Sequence, residues 1–229
     1  MIDHERDLAS LSEATERLLT EAASWDNASV AEPSRLPGWT RGHVLAHLAR
    51  NADALVNVIE GRPMYASAET READIERDAP RPLDAQLADL RETAERFRAA
   101  AAAVPDWSRT VELRNGVTDS ASRIPFRRWV EVALHHVDLD RGYELEDLPE
   151  EFVQREIDFL AERFAGHPSV PSTGIRADDG RTWTTGGGAG GASVGVSGPA
   201  PELLGWLAGR RDGSALKTEG GPLPQLPPL

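Results

Sequence analysis

Two short stretches carry side chains that could hold a metal ion. Gly42-His43-Val44-Leu45-Ala46-His47 places two histidines four residues apart, and Trp129-Val130-Glu131-Val132-Ala133-Leu134-His135 places a glutamate and a histidine four apart. On an α-helix, positions i and i+4 project from one face one turn apart, so each pair can reach a single ion. Zinc accepts imidazole and carboxylate donors, and three protein ligands with a fourth position open is the usual catalytic count. The expected ligands are His47, Glu131 and His135. At about 100° per residue, His47 lies nearer the apolar stripe Val44, Leu48, Leu55 and Ile59 than His43 does, so His43 is read as a capping or surface residue. The same spacing also suits a glutamate–histidine pair at a helix surface, and spacing by itself leaves the metal open. Asp138, one turn beyond His135, either orients it by a hydrogen bond or is a solvated acid. His136 points about 100° away from His135 and reads as structural. His4 and His167 sit near element ends and carry no signal.

The elements that must position these residues are mostly helices. Leu8, Leu11, Thr15, Leu18, Ala22 and Trp25 recur at three- and four-residue spacing and predict a helix over residues 3 to 25. Thr40 is a good N-cap for a second helix, which runs to about Glu60 and stops at Gly61-Arg62-Pro63. Residues 64 to 82 are polar and read as a long loop with room for a short helix. Leu83, Leu87, Leu90, Ala94, Phe97 and Ala101 predict a third helix over 83 to 104. A short extended piece at Thr110-Val111-Glu112-Leu113 precedes the turn Asn115-Gly116. The fourth helix starts near Pro125, a favoured first-turn residue, and ends before Gly142. It is apolar around much of its circumference, with Glu131, His135 and Asp138 as one polar stripe. That stripe is either an exposed edge or the lining of an internal site.

After Asp147-Leu148-Pro149 the character changes. A helix over 150 to 165 is followed by strands around Gly174-Ile175-Arg176, Thr182-Trp183-Thr184 and Ala192 to Val196, a helix over 201 to 210, and a proline-rich tail from Pro222 to Leu229. The glycines from 186 to 191 lack the lysine and hydroxyl register of a phosphate loop, and a strand rather than a helix follows them, so they read as a hairpin loop. The fold class is therefore α plus α/β: a four-helix bundle over residues 1–149 and a small C-terminal α/β domain over residues 150–229.

Composition removes several function classes. The net charge of −13 disfavours nucleic acid and acidic membrane surfaces as partners. No apolar run approaches the roughly 20 residues that span a bilayer. The acidic start Met1-Ile2-Asp3-His4-Glu5-Arg6-Asp7 has no signal-peptide profile, and a cytoplasmic location is expected. The chain has no cysteine, which excludes disulfides, zinc–thiolate sites and a cysteine nucleophile. Any thiol chemistry needs a thiol that arrives as a small molecule. The oligomeric state is open, and a monomer is compatible with the sequence.

The run from Leu36-Pro37-Gly38-Trp39-Thr40 through His43, His47 and Arg50-Asn51-Ala52-Asp53, together with Trp129 to Leu139, resembles mycothiol-dependent maleylpyruvate isomerase, of the DinB-like metal-binding bundle superfamily. Gly198-Pro199 and Leu204-Gly205-Trp206-Leu207-Ala208-Gly209-Arg210 are similar to that family's sterol-carrier-like C-terminal domain. The resemblance implies a zinc ion on His47, Glu131 and His135, mycothiol as thiol cofactor, and an arginine of the C-terminal domain near the site. Arg210 matches that arginine best, with Arg211 adjacent. It also implies a cis–trans isomerase converting maleylpyruvate to fumarylpyruvate in gentisate-type aromatic degradation. There the thiolate adds to the cis double bond, the resulting single bond rotates, and elimination gives the trans product. The rival expectations are a mycothiol S-transferase acting on electrophiles and a non-catalytic zinc-binding regulator.

Overall fold

In the computed structural model, which describes residues 3–187 and 193–228, helix α1 (His4–Ala22) begins where the Asp3 side chain accepts a hydrogen bond from the Arg6 amide. It buries Leu11, Thr15, Leu18, Leu19 and Ala22. Trp25, expected on the same helix, lies beyond its end in a turn and is buried there. Helix α2 (Arg41–Ile59) starts with a reciprocal cap: Thr40 accepts from the His43 amide, and the His43 ring accepts from the Thr40 amide. It ends before Gly61, whose φ of 78° closes the turn without steric cost. The polar stretch after it contains helix α3 (Ala68–Asp78), capped by Ser67 and packed on α2. Helix α4 (Leu83–Ala102) follows, burying Leu83, Leu87, Leu90 and Phe97.

Strands β1 (Thr110–Glu112) and β2 (Thr118–Ser120) pair antiparallel about Asn115-Gly116, both at positive φ, as that dipeptide favours. Helix α5 (Ile124–Asp138) then returns through the bundle with Pro125 in its first turn. The helices contact in a closed ring: α1 packs on α5, α5 on α2, α2 on α4, and α4 on α1. The two helices that carry the candidate ligands, α2 and α5, are therefore direct neighbours. Their ends are also tied together. The Arg41 guanidinium, buried at the start of α2, donates to the Leu139 and Asp140 carbonyls at the end of α5, and the Arg35 amide donates to Asp138 O at 2.8 Å.

The chain divides into two compact units, Met1–Tyr143 and Glu144–Leu229. In the second unit, helix α6 (Glu150–Arg163) precedes strands β3 (Thr173–Ala177), β4 (Thr182–Thr185) and β5 (Val194–Gly198). Helix α7 (Ala200–Leu207) and strand β6 (Lys217–Glu219) complete it. The sheet order is β4-β3-β5-β6, with β3 and β5 parallel and the outer pairs antiparallel. Helix α7 ends at Leu207, before the expected residue 210. Strand β6 was not anticipated, because its three residues are all exposed and show no apolar alternation. Of the glycine-rich stretch, Gly186 and Gly187 bridge to Ala165 and Pro171. The rest of the expected hairpin loop, with Ala192 of the expected strand, lies outside the described residues.

Candidate metal centre

His47, Glu131 and His135 meet at a partly buried site where α2 packs on α5, with one ligand atom from each lying within 4.8 Å of the others. Among the described residues, no other group of three histidines or acids comes together in this way. Glu131 Oε2 is 2.9 Å from His47 Nε2 and 3.4 Å from His135 Nε2. The two imidazoles meet edge to face at 4.7 Å between centroids. His47 and Glu131 are separated by 84 positions in sequence, so the packing of α2 on α5 creates the cluster. The polar stripe of α5 thus lines an internal site.

The surroundings fix the protonation of each group. Burial chiefly pushes the His47 imidazole down to about 4, so it is neutral. Glu131 works against its own desolvation: hydrogen bonds from His135 and His47 hold its carboxyl well below the usual range. For His135 desolvation is likewise outweighed, and the hydrogen bonds to Asp138 and Glu131 raise the imidazole above its ordinary value. Asp138 is fully buried, with Oδ2 2.8 Å from His135 Nδ1. A carboxylate at the far nitrogen of a histidine fixes the tautomer that leaves the near nitrogen free to ligate. Two imidazoles, one ionised carboxylate and a buried orienting acid are a donor set that suits zinc. Zinc–ligand bonds of about 2.1 Å in a tetrahedron put ligand atoms roughly 3.5 Å apart, close to the separations seen here.

His43 does not join the cluster. Its Nδ1 serves the cap of α2, and its Nε2 lies 3.5 Å from Glu76 Oε2. His136 pairs with Glu21 at 2.8 Å and stacks on Tyr143. Trp39 packs against the His47 ring at 5.5 Å between centroids. In the second unit, Arg210 follows α7 and donates from Nη1 to Ala208 O at 2.8 Å. Arg211 is committed to Glu146 and Glu202 at 2.7 and 2.6 Å.

The model described as the mycothiol maleylpyruvate isomerase N-terminal domain matches residues 11–140, and that described as the MDMPI C-terminal domain matches residues 147–228. This chain belongs to the mycothiol-dependent maleylpyruvate isomerase family. A crystal structure of the mycothiol-dependent maleylpyruvate isomerase superposes with a TM-score of 0.89 at 26% identity, covering 99% of this chain and 97% of that one. A histidine-to-alanine mutant of the mycothiol-dependent maleylpyruvate isomerase gives the same TM-score and coverage at 25% identity. No curated protein sequence matches the chain. Among the described residues no helix is long and apolar enough to cross a membrane.

Several residues beside the triad carried no sequence signal. Arg71 on α3 donates to His47 Nδ1 at 3.2 Å and stands over the Tyr65 ring. Both lie in the polar stretch read as a loop, where no periodicity marks a buried face. Arg128, one turn before Glu131, is 1% exposed and donates to Asn51 Oδ1 at 2.8 Å. Burial pushes its guanidinium down to about 10, a shift that the nearby Glu131 carboxylate opposes.

Proposed function

We propose that the protein is a zinc- and mycothiol-dependent cis–trans isomerase that converts maleylpyruvate to fumarylpyruvate. The observation that carries the reading is the His47–Glu131–His135 cluster with His135 oriented by Asp138, inside a chain that family models match over almost its whole length. When bound, the ion would offer its open position to the cofactor sulfur and favour the thiolate. The chain's own residues do the rest. His47 and His135 present neutral nitrogens, Glu131 supplies charge, and Asp138 holds the Nδ1 proton of His135 so that its ring keeps one orientation. Arg210 is assigned a carboxylate of the substrate or cofactor, as the family resemblance implies. A chain with no cysteine is suited to an external thiol.

The test is a coupled assay on metal-quantified protein, with maleylpyruvate in excess over mycothiol, following fumarylpyruvate and free thiol together. Turnover with thiol conserved is expected. Thiol loss to an electrophile without isomerisation would make the protein an S-transferase. One bound ion per chain with neither signal would make it a regulator.

A pH dependence follows from the raised His135. A ligating imidazole must be neutral, so any proton on the His135 imidazole would have to leave before an ion could bind there. Affinity therefore rises with pH until the raised pKa is passed, then levels off. Calorimetry in buffers of different ionisation enthalpy should show more protons released per ion at pH 6 than at pH 9. Constant proton release across that range would contradict the assignment of the proton to His135.

A further inference from the structure

We propose that Tyr65, Arg71 and Arg114 form a carboxylate-binding wall beside the metal centre, so that a dicarboxylate substrate sets one carboxylate against Arg71 and extends the other into the adjoining cavity. This inference rests on the isomerase reading for the identity of the substrate. The geometry of the wall stands without it.

A cavity of about 500 Å³ opens between the end of α2, the segment that carries Tyr65, and the β1–β2 hairpin. Arg62, Arg109 and Arg114 line it, with Glu112 the one acid among its lining residues. That volume lies within the range of small-ligand sites. Tyr65 connects the cavity to the metal centre. It is half-buried, and its desolvation raises its hydroxyl pKa, while the charges of Arg71, Glu131 and Arg114 all reach it.

Acids outnumber basic residues 38 to 25, and on α2, α3 and α4 the arginines Arg50, Arg77, Arg96 and Arg98 each hold a carboxylate. Arg71 and Arg114 make no ion pair among the described residues, and Arg109 Nε is buried without a partner. Arg62 at the cavity pairs with Glu60, but Arg109 and Arg114 on its lining and Arg71 beside Tyr65 hold no carboxylate, and such cations are suited to a ligand that brings its own negative charge.

The hydrogen bond from Arg71 to His47 adds a link to the metal centre. A guanidinium has only donors, so His47 Nδ1 accepts and its proton sits on Nε2, facing Glu131. A substrate carboxylate beside the metal centre would offer Arg71 a charged and therefore stronger acceptor than the His47 ring.

The test measures binding to metal-loaded, thiol-free protein by calorimetry, using maleylpyruvate, glutarate as an inert dicarboxylate, and butyrate as a monocarboxylate. Arg114→Gln, on an exposed hairpin, should weaken both dicarboxylates about tenfold, leave butyrate nearly unchanged, and retain one ion per chain. Arg71→Gln should weaken all three. Arg114→Lys should recover part of the loss. In turnover, Arg114→Gln should raise KM about tenfold with kcat within about threefold. Wild-type dissociation constants in both glutamine variants would overturn the proposal, as would equal losses for butyrate and the dicarboxylates in Arg114→Gln. Arginine-dependent dicarboxylate binding in a protein that fails the isomerase assay would support the wall and remove only the isomerase reading.

Discussion

His47→Ala should abolish metal binding and isomerase activity together. His47 is one of the three proposed ligands, it is the one that α2 contributes, and its neutral ring is held by burial against Trp39. Outer-shell partners of a metal site typically cost 10–100-fold in affinity or activity when lost, so a ligand should cost more, on the order of a thousandfold in turnover. Two controls separate this from general damage. His43→Ala, four residues earlier on the same helix, should retain the metal and lose only about 1 kcal/mol through the cap of α2. Asp138→Asn should fall between them, because it keeps the shape but weakens the orientation of His135. Elemental analysis of purified protein and steady-state rates check all three. Full metal content and full rate in His47→Ala would show that the triad is not the metal centre.

Gly42→Ala should be severely destabilising, against the usual sign. In a helix interior alanine is normally better than glycine by about 1 kcal/mol. Here an added Cβ would lie 2.1 Å from the Ala79 carbonyl oxygen and 2.7 Å from Val30 Cγ1. The first obstacle is backbone at the end of α3 and has no rotamer to change. Relief requires α3 to move away from α2, and with it Arg71, which rests on His47. Overpacking of this kind costs about 1–3 kcal/mol, or roughly 2–12 °C in Tm for a chain of this size. A thermal melt equal to or above wild type would refute the close approach. A lowered Tm with altered metal affinity would show that the seating of α3 and the metal centre are coupled.

The helices were legible because each buries a stripe with helical period, and their ends carry plain signals such as Thr40 and Gly61. The residues of the candidate cluster were legible for a related reason: i, i+4 spacing is local, and the apolar stripe of α2 indicated which histidine faced inward. What the sequence could not reveal depends on contacts between distant segments. Asp138 was undecided between solvent and His135 because only the packing of α5 determines its burial. Helix α3 has few apolar residues, so Tyr65 and Arg71 were read as loop. Strand β6 has no buried face at all and exists by pairing with β5. Arg128 needed Asn51, 77 positions away, before its burial could be understood.

The long separation between His47 and Glu131 has a consequence for the persistence of the fold. An ion gripping both would close a loop of 84 positions, as a covalent crosslink does. Chain-entropy arguments put the closure of such a loop at roughly 4–5 kcal/mol in the denatured ensemble. The bundle has no cysteine with which to make a permanent staple. The ion would act as a reversible one, holding α2 and α5 together for as long as the supply of metal lasts.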